Sequence, residues 1–287
     1  NTILKGTCYL PGGNARIASI EGQQYIFKDL VFGDLKKSPE KLPEINKDLF
    51  DFASNYLNDM QLSNDSIIYI HSLDSNHIEN SFNNKTILIY NDDIDMISDY
   101  SFKGNVILWS TISIILDSST KLDDVILFAP SVIVKSGFIG EFQVYALQHI
   151  KIEENCQIRY PSQLCLIQYE GARYNPSDTL MITIGESSFV EGSVLIKSSG
   201  LLSLISINKG AKIVGQVYCP GIIEPKGEII GSLYCKTFYL GAERAKYYNN
   251  LLNTKIDFMS LSHHFSGVDL IKDIPYKTII KDRKSVV

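Results

Sequence analysis

Alanine is scarce, nine residues in 287, although it is the best helix former and normally among the commonest amino acids. That shortage disfavours a helical bundle. Basic charge is also in short supply: 27 Lys and Arg stand against 32 Asp and Glu, with no dense basic cluster interleaved with aromatics. Electrostatic capture of nucleic acid or of an anionic membrane is therefore not expected. The five cysteines, Cys8, Cys156, Cys165, Cys219 and Cys235, include no CxxC pair, which excludes the usual zinc-finger spacing and a thioredoxin-type motif. No run approaches the roughly 18 apolar residues of a membrane helix. The motifs GxSxG, P-loop and HExxH are missing, as is a GxGxxG set between a strand and a helix. A charged fraction of 21% and a mean hydropathy near zero exclude gross disorder.

Isoleucine is what the chain has in abundance, with 39 residues. β-Branched side chains are stiff at χ1 and suit a pleated, half-buried surface, so the composition reads as mostly strand. Apolar cores recur about every 20 residues, at IIYI (Ile67), ILIY (Ile87), VILW (Val106) and VILF (Val125), then near Val144, Leu164, Ile182, Leu204 and Ile223. Self-similarity at such a period marks a solenoid, whose turns bury their apolar faces only by stacking on one another.

A finer period lies inside the coarse one. Steps of six from Leu116 reach Leu122, Phe128, Val134, Gly140, Ala146, Ile152, Ile158 and Leu164, all apolar or glycine. A second track two residues earlier runs through Ile114, Thr120, Ile126, Val132, Phe138, Val144, Ile150 and Cys156. Residues i and i+2 of a strand share a face, so the paired tracks describe short strands that each send two side chains inward before a corner. Three such sides make a turn of about 18 residues, which predicts an all-β, single-stranded parallel β-helix. The general rule for parallel crossovers favours the right hand, whereas strict hexads are also used by the left-handed exception, so the hand stays open. Later turns keep the pattern in altered phase, and VEGSV, IVGQV and IIGSL align at Gly192, Gly215 and Gly231.

The expected organisation is a β-rich N-terminal segment with a capping helix over 1–63, the parallel β-helix over 64–240, and an irregular C-terminal cap or tail over 241–287. The helix is predicted from Leu49, Phe50, Phe52, Ala53, Tyr56, Leu57 and Met60, which recur at i, i+3, i+4 and i+7, with Asn46 and Asp48 as caps. Placed before the first turn, it would cover the open end of the coil, as solenoids require.

Few residues suggest chemistry. His263 and His264 are adjacent in an extended segment between Asp257 and Asp269, and neighbours in a strand point to opposite sides, so they do not form a helical i, i+4 metal site. His71, His77 and His149 stand alone. The acidic run Asn91–Asp95 lacks the Gly and Glu of an EF-hand, carrying Met96 and Phe102 at those positions, and reads as a solvated corner. Asp117, Asp123, Asp124 and Glu154 fall on successive corners, where clustered carboxylates could serve a glycosidase or lyase. A lyase also wants a basic residue over the sugar, and no Arg or Lys is tied to these carboxylates by spacing. Tyr218-Cys219 and Tyr234-Cys235 are expected to stack in neighbouring turns with reduced, buried thiols.

Two stretches, GTCYLPGGNARIASIEGQ at Gly6 to Gln23 and LDDVILFAPSVIVKSGFIGEFQVYA with IRYPSQL at Leu122 to Leu164, resemble poorly characterised envelope-associated proteins of Bacteroidetes. INKGAKIVGQVYCPG at Ile207 to Gly221 is similar to their last turns. The resemblance implies a hydrophobic N-terminal helix of pilin or pseudopilin type ahead of Asn1, hence a membrane tether, but carries no catalytic residues. More distantly, the short-strand coil is similar to bactofilin-type polymer-forming proteins, which are smaller.

The leading expectation is a non-enzymatic structural or interaction module of the bacterial cell envelope, periplasmic or at the cell surface and adhesin-like, presenting a rigid β-helix. Its partners would be other envelope proteins, glycans or further copies of the chain. No catalytic or metal residue is assigned, and no cofactor is expected. The alternative is a carbohydrate-binding or polysaccharide-cleaving β-helix, with Tyr145, Tyr160, Tyr169 and Tyr174 as stacking platforms. The third is a hexapeptide-repeat acyltransferase, because LDSST at Leu116 and IGESS at Ile184 are similar to its repeats. Such an enzyme needs a histidine general base at a subunit interface, and His149 is the only histidine within the regular coil.

Overall fold

Parallel strands stack into a β-solenoid of about seven turns in the computed structural model, which describes residues 2–58, 66–69, 75–90, 92, 96–168, 174–175, 177–242 and 245–272. Each full turn supplies strands to three walls. The third-wall strands Lys121–Asp123, Ile139–Gly140 and Gln157–Ile167 begin eighteen residues apart, the length that three six-residue sides require. Later turns begin at Phe189, Lys212 and Glu228, with corners of varying length.

The inner core follows the register. On the first wall Ile89, Leu108, Leu127, Val144, Leu164, Val194 and Val217 lie on successive rungs, all buried. The second wall aligns Ile114, Val132, Ile150, Ile182, Ile205 and Ile223. The third aligns Ile158, Val190, Ile213, Ile229, Ile256 and Leu4. Stacked β-branched side chains stabilise neighbouring strands at each rung, and that is where the isoleucines are placed.

The six-residue tracks slip once. In the turn after Lys121, Leu127 and Ala129 belong to the inner core, whereas Phe128 and Ile126 pack in a second cluster on the outside of the first wall. Tyr90, Trp109, Phe128 and Tyr145 occupy successive rungs of that outer face. Ring centroids lie 5.4 Å apart for Trp109 and Phe128, and 5.3 Å for Phe128 and Tyr145. A strand buried on both faces reads as a continuous apolar run, which explains VILW and VILF.

The helix Asp48–Asn58 supplies Phe50 and Ala53 to this outer cluster, together with Leu270 and Ile271 from the C-terminal segment. It therefore covers a side wall and not the open end of the coil. Asn46 caps it as predicted, its Oδ1 accepting the Asp48 N–H at 3.2 Å. The segment is tied across large sequence distances. Tyr218 donates to the Pro43 carbonyl at 3.0 Å, the Asn46 N–H donates to Leu270 O at 2.8 Å, and Ile45 bridges Ile271. Gln216 Nε2 donates to Val268 O at 3.1 Å, so the tail folds back along the coil.

The chain start closes the coil at its C-terminal end. Ile3–Lys5 pairs in parallel with Lys255–Asp257, which pairs with Glu228–Gly241, and Phe32 bridges Lys5 beyond it. The solenoid thus runs past Leu240 and ends on N-terminal residues. Buried Asp257 holds this junction: it accepts from the Ser260 N–H at 3.0 Å and hydroxyl at 2.8 Å, and lies 3.5 Å from Lys5 Nζ. Burial alone would raise its pKa, but the Ser260 hydrogen bonds with Lys5 and Lys255 outweigh that and lower it. Asp257→Ala is expected to cost about 1–3 kcal/mol, because Ser260 loses its acceptor. Hydrogen exchange should accelerate at Ile3–Lys5 while the middle turns stay protected; unchanged exchange at Ile3–Lys5 would contradict the role.

Gly192, Gly215 and Gly231 stack in register at the corner from the third wall to the first. Tyr218 and Cys219 lie on Tyr234 and Cys235 as expected, and these cysteines are free. Burial pushes the Cys219 thiol up to about 12.

Candidate functional site

The only group of three or more potential metal-ligating side chains among the described residues is Asp123, Asp124 and Glu141, whose ligand atoms lie within 4.8 Å of one another. The fold builds this group from two turns. Asp123 ends a third-wall strand, and Asp124 makes the corner in the left-handed region at φ 60°. Glu141 stands at the next turn's equivalent corner, its N–H donating to Leu122 O at 3.1 Å. Along the same wall Glu79, Lys103 and Asp123 occupy successive rungs, and Lys103 Nζ lies 3.2 Å from Asp123 and 3.9 Å from Glu79.

Electrostatics at this corner favour a shared proton. Burial, then the hydrogen bond and repulsion from Asp123, with Asp124 behind it, push the Glu141 carboxyl up to about 7, against a lowering influence from Arg159. Asp123 moves the other way, held low chiefly by the hydrogen bond from Glu141 and also by Lys103, despite its own burial. A cation could replace the proton among the three carboxylates.

The sign of the pH dependence follows from Glu141. Between its ordinary range near 4.5 and its folded value of about 7 the folded chain holds a proton that the unfolded chain has released, so stability falls as pH rises through that window. The urea midpoint is expected to drop from pH 5 to pH 8, and Glu141→Gln to flatten the drop. Equal slopes in variant and parent would refute the shared proton.

Asp117 and Glu154 do not join this corner. Asp117 is held low by the N–H and hydroxyl of Ser119, and Glu154 is exposed. Asp92 accepts from the Ser110 hydroxyl at 2.8 Å and the Thr111 N–H at 2.7 Å, so it laces one turn to the next; the rest of Asn91–Asp95 lies outside the described residues. His77, His149, His263 and His264 are all exposed, and Asp257 is buried away from solvent. His149 stands on the outer face of the second wall between Ser131 and Met181. His71 lies outside the described residues.

The three described tyrosines of the four do not form a platform. Tyr145 is buried in the outer cluster, and Tyr174 packs against the inner core. Tyr160 stacks edge-on with Phe265 at 5.8 Å and donates to Ser266 O at 3.2 Å. Tyr169 lies outside the described residues. Spacing missed Lys103, Glu141 and Arg159. Lys103 and Glu141 each stand close to one turn length from Asp123, a relation visible once the repeat is drawn as stacked turns.

Together these features define a parallel β-solenoid protein with one side wall sealed by a helix and a carboxylate corner on another. Compared with protein-family models, curated proteins and solved structures, the chain matches none.

Proposed function

We propose that this chain is a non-enzymatic structural or interaction module of the bacterial cell envelope, presenting a rigid β-helix to other envelope proteins or glycans. The observation that carries the reading is the double core. One apolar stack runs inside the coil and a second runs outside its first wall, so the turns are locked both to their neighbours and to a strap. Such a body suits a spacer or platform better than a lid-gated catalyst. The envelope setting, with a tether ahead of Asn1, rests on the resemblance of Gly6 to Gln23, Leu122 to Leu164 and Ile207 to Gly221 to Bacteroidetes envelope proteins. Fractionation of cells carrying a tagged chain should place it in the envelope, and purified protein should show no turnover of envelope glycans. Cytosolic recovery or measured turnover would each overturn the corresponding part.

A second reading, polysaccharide cleavage, is favoured by one observation: Lys103 and Arg159 come to the carboxylate corner, supplying the basic groups that spacing did not. Lyase action on a polyuronate would release an unsaturated product absorbing near the ultraviolet edge, and Asp124→Asn should abolish it. A flat absorbance trace in calcium-containing buffer removes this reading.

A further inference from the structure

The corner between the second and third walls forms an open groove of about 630 Å³ near the C-terminal end of the coil. Its floor is laid by successive turns. The Lys226 N–H donates to Ile207 O at 2.8 Å and the Glu228 N–H to Ala211 O at 2.9 Å, which sets Lys226-Gly227 directly on the turn containing Lys209-Gly210. Thr254 donates to Pro225 O at 2.5 Å and places Leu252 one rung further. Leu240 and Leu252 supply apolar surface to the lining.

Charge in this groove is one-sided in a chain that is acidic as a whole. Among the described residues, three lysines, Lys209, Lys212 and Lys226, line it against one carboxylate, Glu228, which is itself 3.6 Å from Lys255. Lys226 is paired with Glu224 at 2.9 Å. Lys209 and Lys212 have no carboxylate within ion-pair distance among the described residues, and Lys212 Nζ sits 5.8 Å from the Phe189 ring centroid. Ammonium groups gathered in a concave site raise the local concentration of anions. The volume falls in the range of ligand sites, roughly 300–1,000 Å³. No aromatic side chain lines the groove among the described residues, so they offer no stacking surface of the kind a nucleobase uses. Lysines on adjacent rungs stand about 4.8 Å apart in rise, close to the length of one pyranose in a linear chain.

We propose that this groove binds an acidic oligosaccharide, its anionic groups on Lys209, Lys212 and Lys226 and its sugar rings against Leu240 and Leu252. The site goes beyond the scaffold role and stands independently of the envelope setting. Calorimetric titration with trigalacturonate, a hexose phosphate and neutral maltotriose tests it. An acidic probe should bind, more weakly as salt is added, while maltotriose gives no heat. Preference for trigalacturonate assigns a uronate, and preference for the hexose phosphate assigns a phosphorylated sugar. Lys209→Gln combined with Lys226→Gln should weaken binding at least tenfold with an unchanged thermal midpoint; Glu224 keeps partners in Ser206 and the Gly241 N–H. Absence of binding by both acidic probes at millimolar concentration, or a double variant that binds like the parent, overturns the proposal. Glycan turnover without loss of groove binding would instead refute the scaffold reading alone.

Discussion

Replacing Gly215 with alanine is expected to unfold the late turns of the solenoid. Gly215 has φ +145° and sits between Gly192 and Gly231 in the corner ladder, and an added Cβ would lie 1.9 Å from the Gly192 carbonyl oxygen and 2.8 Å from the Phe265 ring. The carbonyl belongs to the backbone of the rung below and cannot step aside as a flexible side chain could. The dihedral is itself one that L-residues rarely adopt. Clash and strain together should cost about 4 kcal/mol or more, lowering the thermal midpoint by roughly 10 °C for a chain of this size. Because each turn rests only on its neighbours, the loss should appear first as faster hydrogen exchange in the strands Phe189–Lys197, Lys212–Pro225 and Glu228–Gly241. Gly200→Ala serves as the control: its Cβ meets nothing within 4 Å, and its stability should stay within about 0.5 kcal/mol of the parent. Similar midpoints for the two variants would show that the corner tolerates a side chain and that the close approach does not govern the fold.

Phe50→Ala should be nearly as damaging, although Phe50 lies outside the coil. Its side chain is fully buried in the outer cluster with Leu195, Phe128 and Tyr145, and Lys197 Nζ lies 5.0 Å from its ring centroid. Truncating a buried phenylalanine typically costs about 3–5 kcal/mol, the sum of lost transfer energy and the cavity left behind. Among the described residues Phe50 and Ala53 are the buried side chains that seat the helix in this cluster, so its release would expose the Trp109, Phe128 and Tyr145 rungs. Urea unfolding should record the loss of stability, and binding of a hydrophobic dye should rise before the coil itself melts. Exchange should accelerate at Asn46 and in the middle turns of the first wall. A helix that merely capped an end would instead loosen only the first turn, and that pattern would contradict the side-wall placement.

The two predictions also mark where reading by period succeeds and fails. The glycines were visible as the aligned segments VEGSV, IVGQV and IIGSL, because a corner repeated in register leaves the same residue at the same place in each turn. The helix was visible too, from its i, i+3, i+4 pattern and the Asn46 cap. Its location was not, since an amphipathic stripe says that a face is buried and not against what. Phe128 and Ile126 kept the six-residue phase and still point outward, because burial on both sides of the first wall makes inward and outward positions equally apolar.

The candidate sites divide the same way. Asp123 and Asp124 stood out as corner carboxylates, while Glu141, Lys103 and Arg159 joined them only when turns were stacked. Tyr145, Tyr160 and Tyr174 looked like parts of a platform when judged by residue type, and packing dispersed these three. The lysine groove left no trace in the overall charge, because its three lysines sit in a chain where acids outnumber bases.

By itself the sequence determined the class: many isoleucines, few alanines and a six-residue phase leave a stack of short parallel strands as the arrangement that buries them, because each β-branched side chain needs a like neighbour one rung away. Only the tertiary structure decided how the coil is closed. Its last rungs are drawn from residues 3–5 and 32, its outer wall is sealed by a helix and a tail more than two hundred residues apart, and its charged corners combine different turns. Periodicity reports contacts between successive turns, whereas these contacts join segments that share no repeat, and only their packing brings them together.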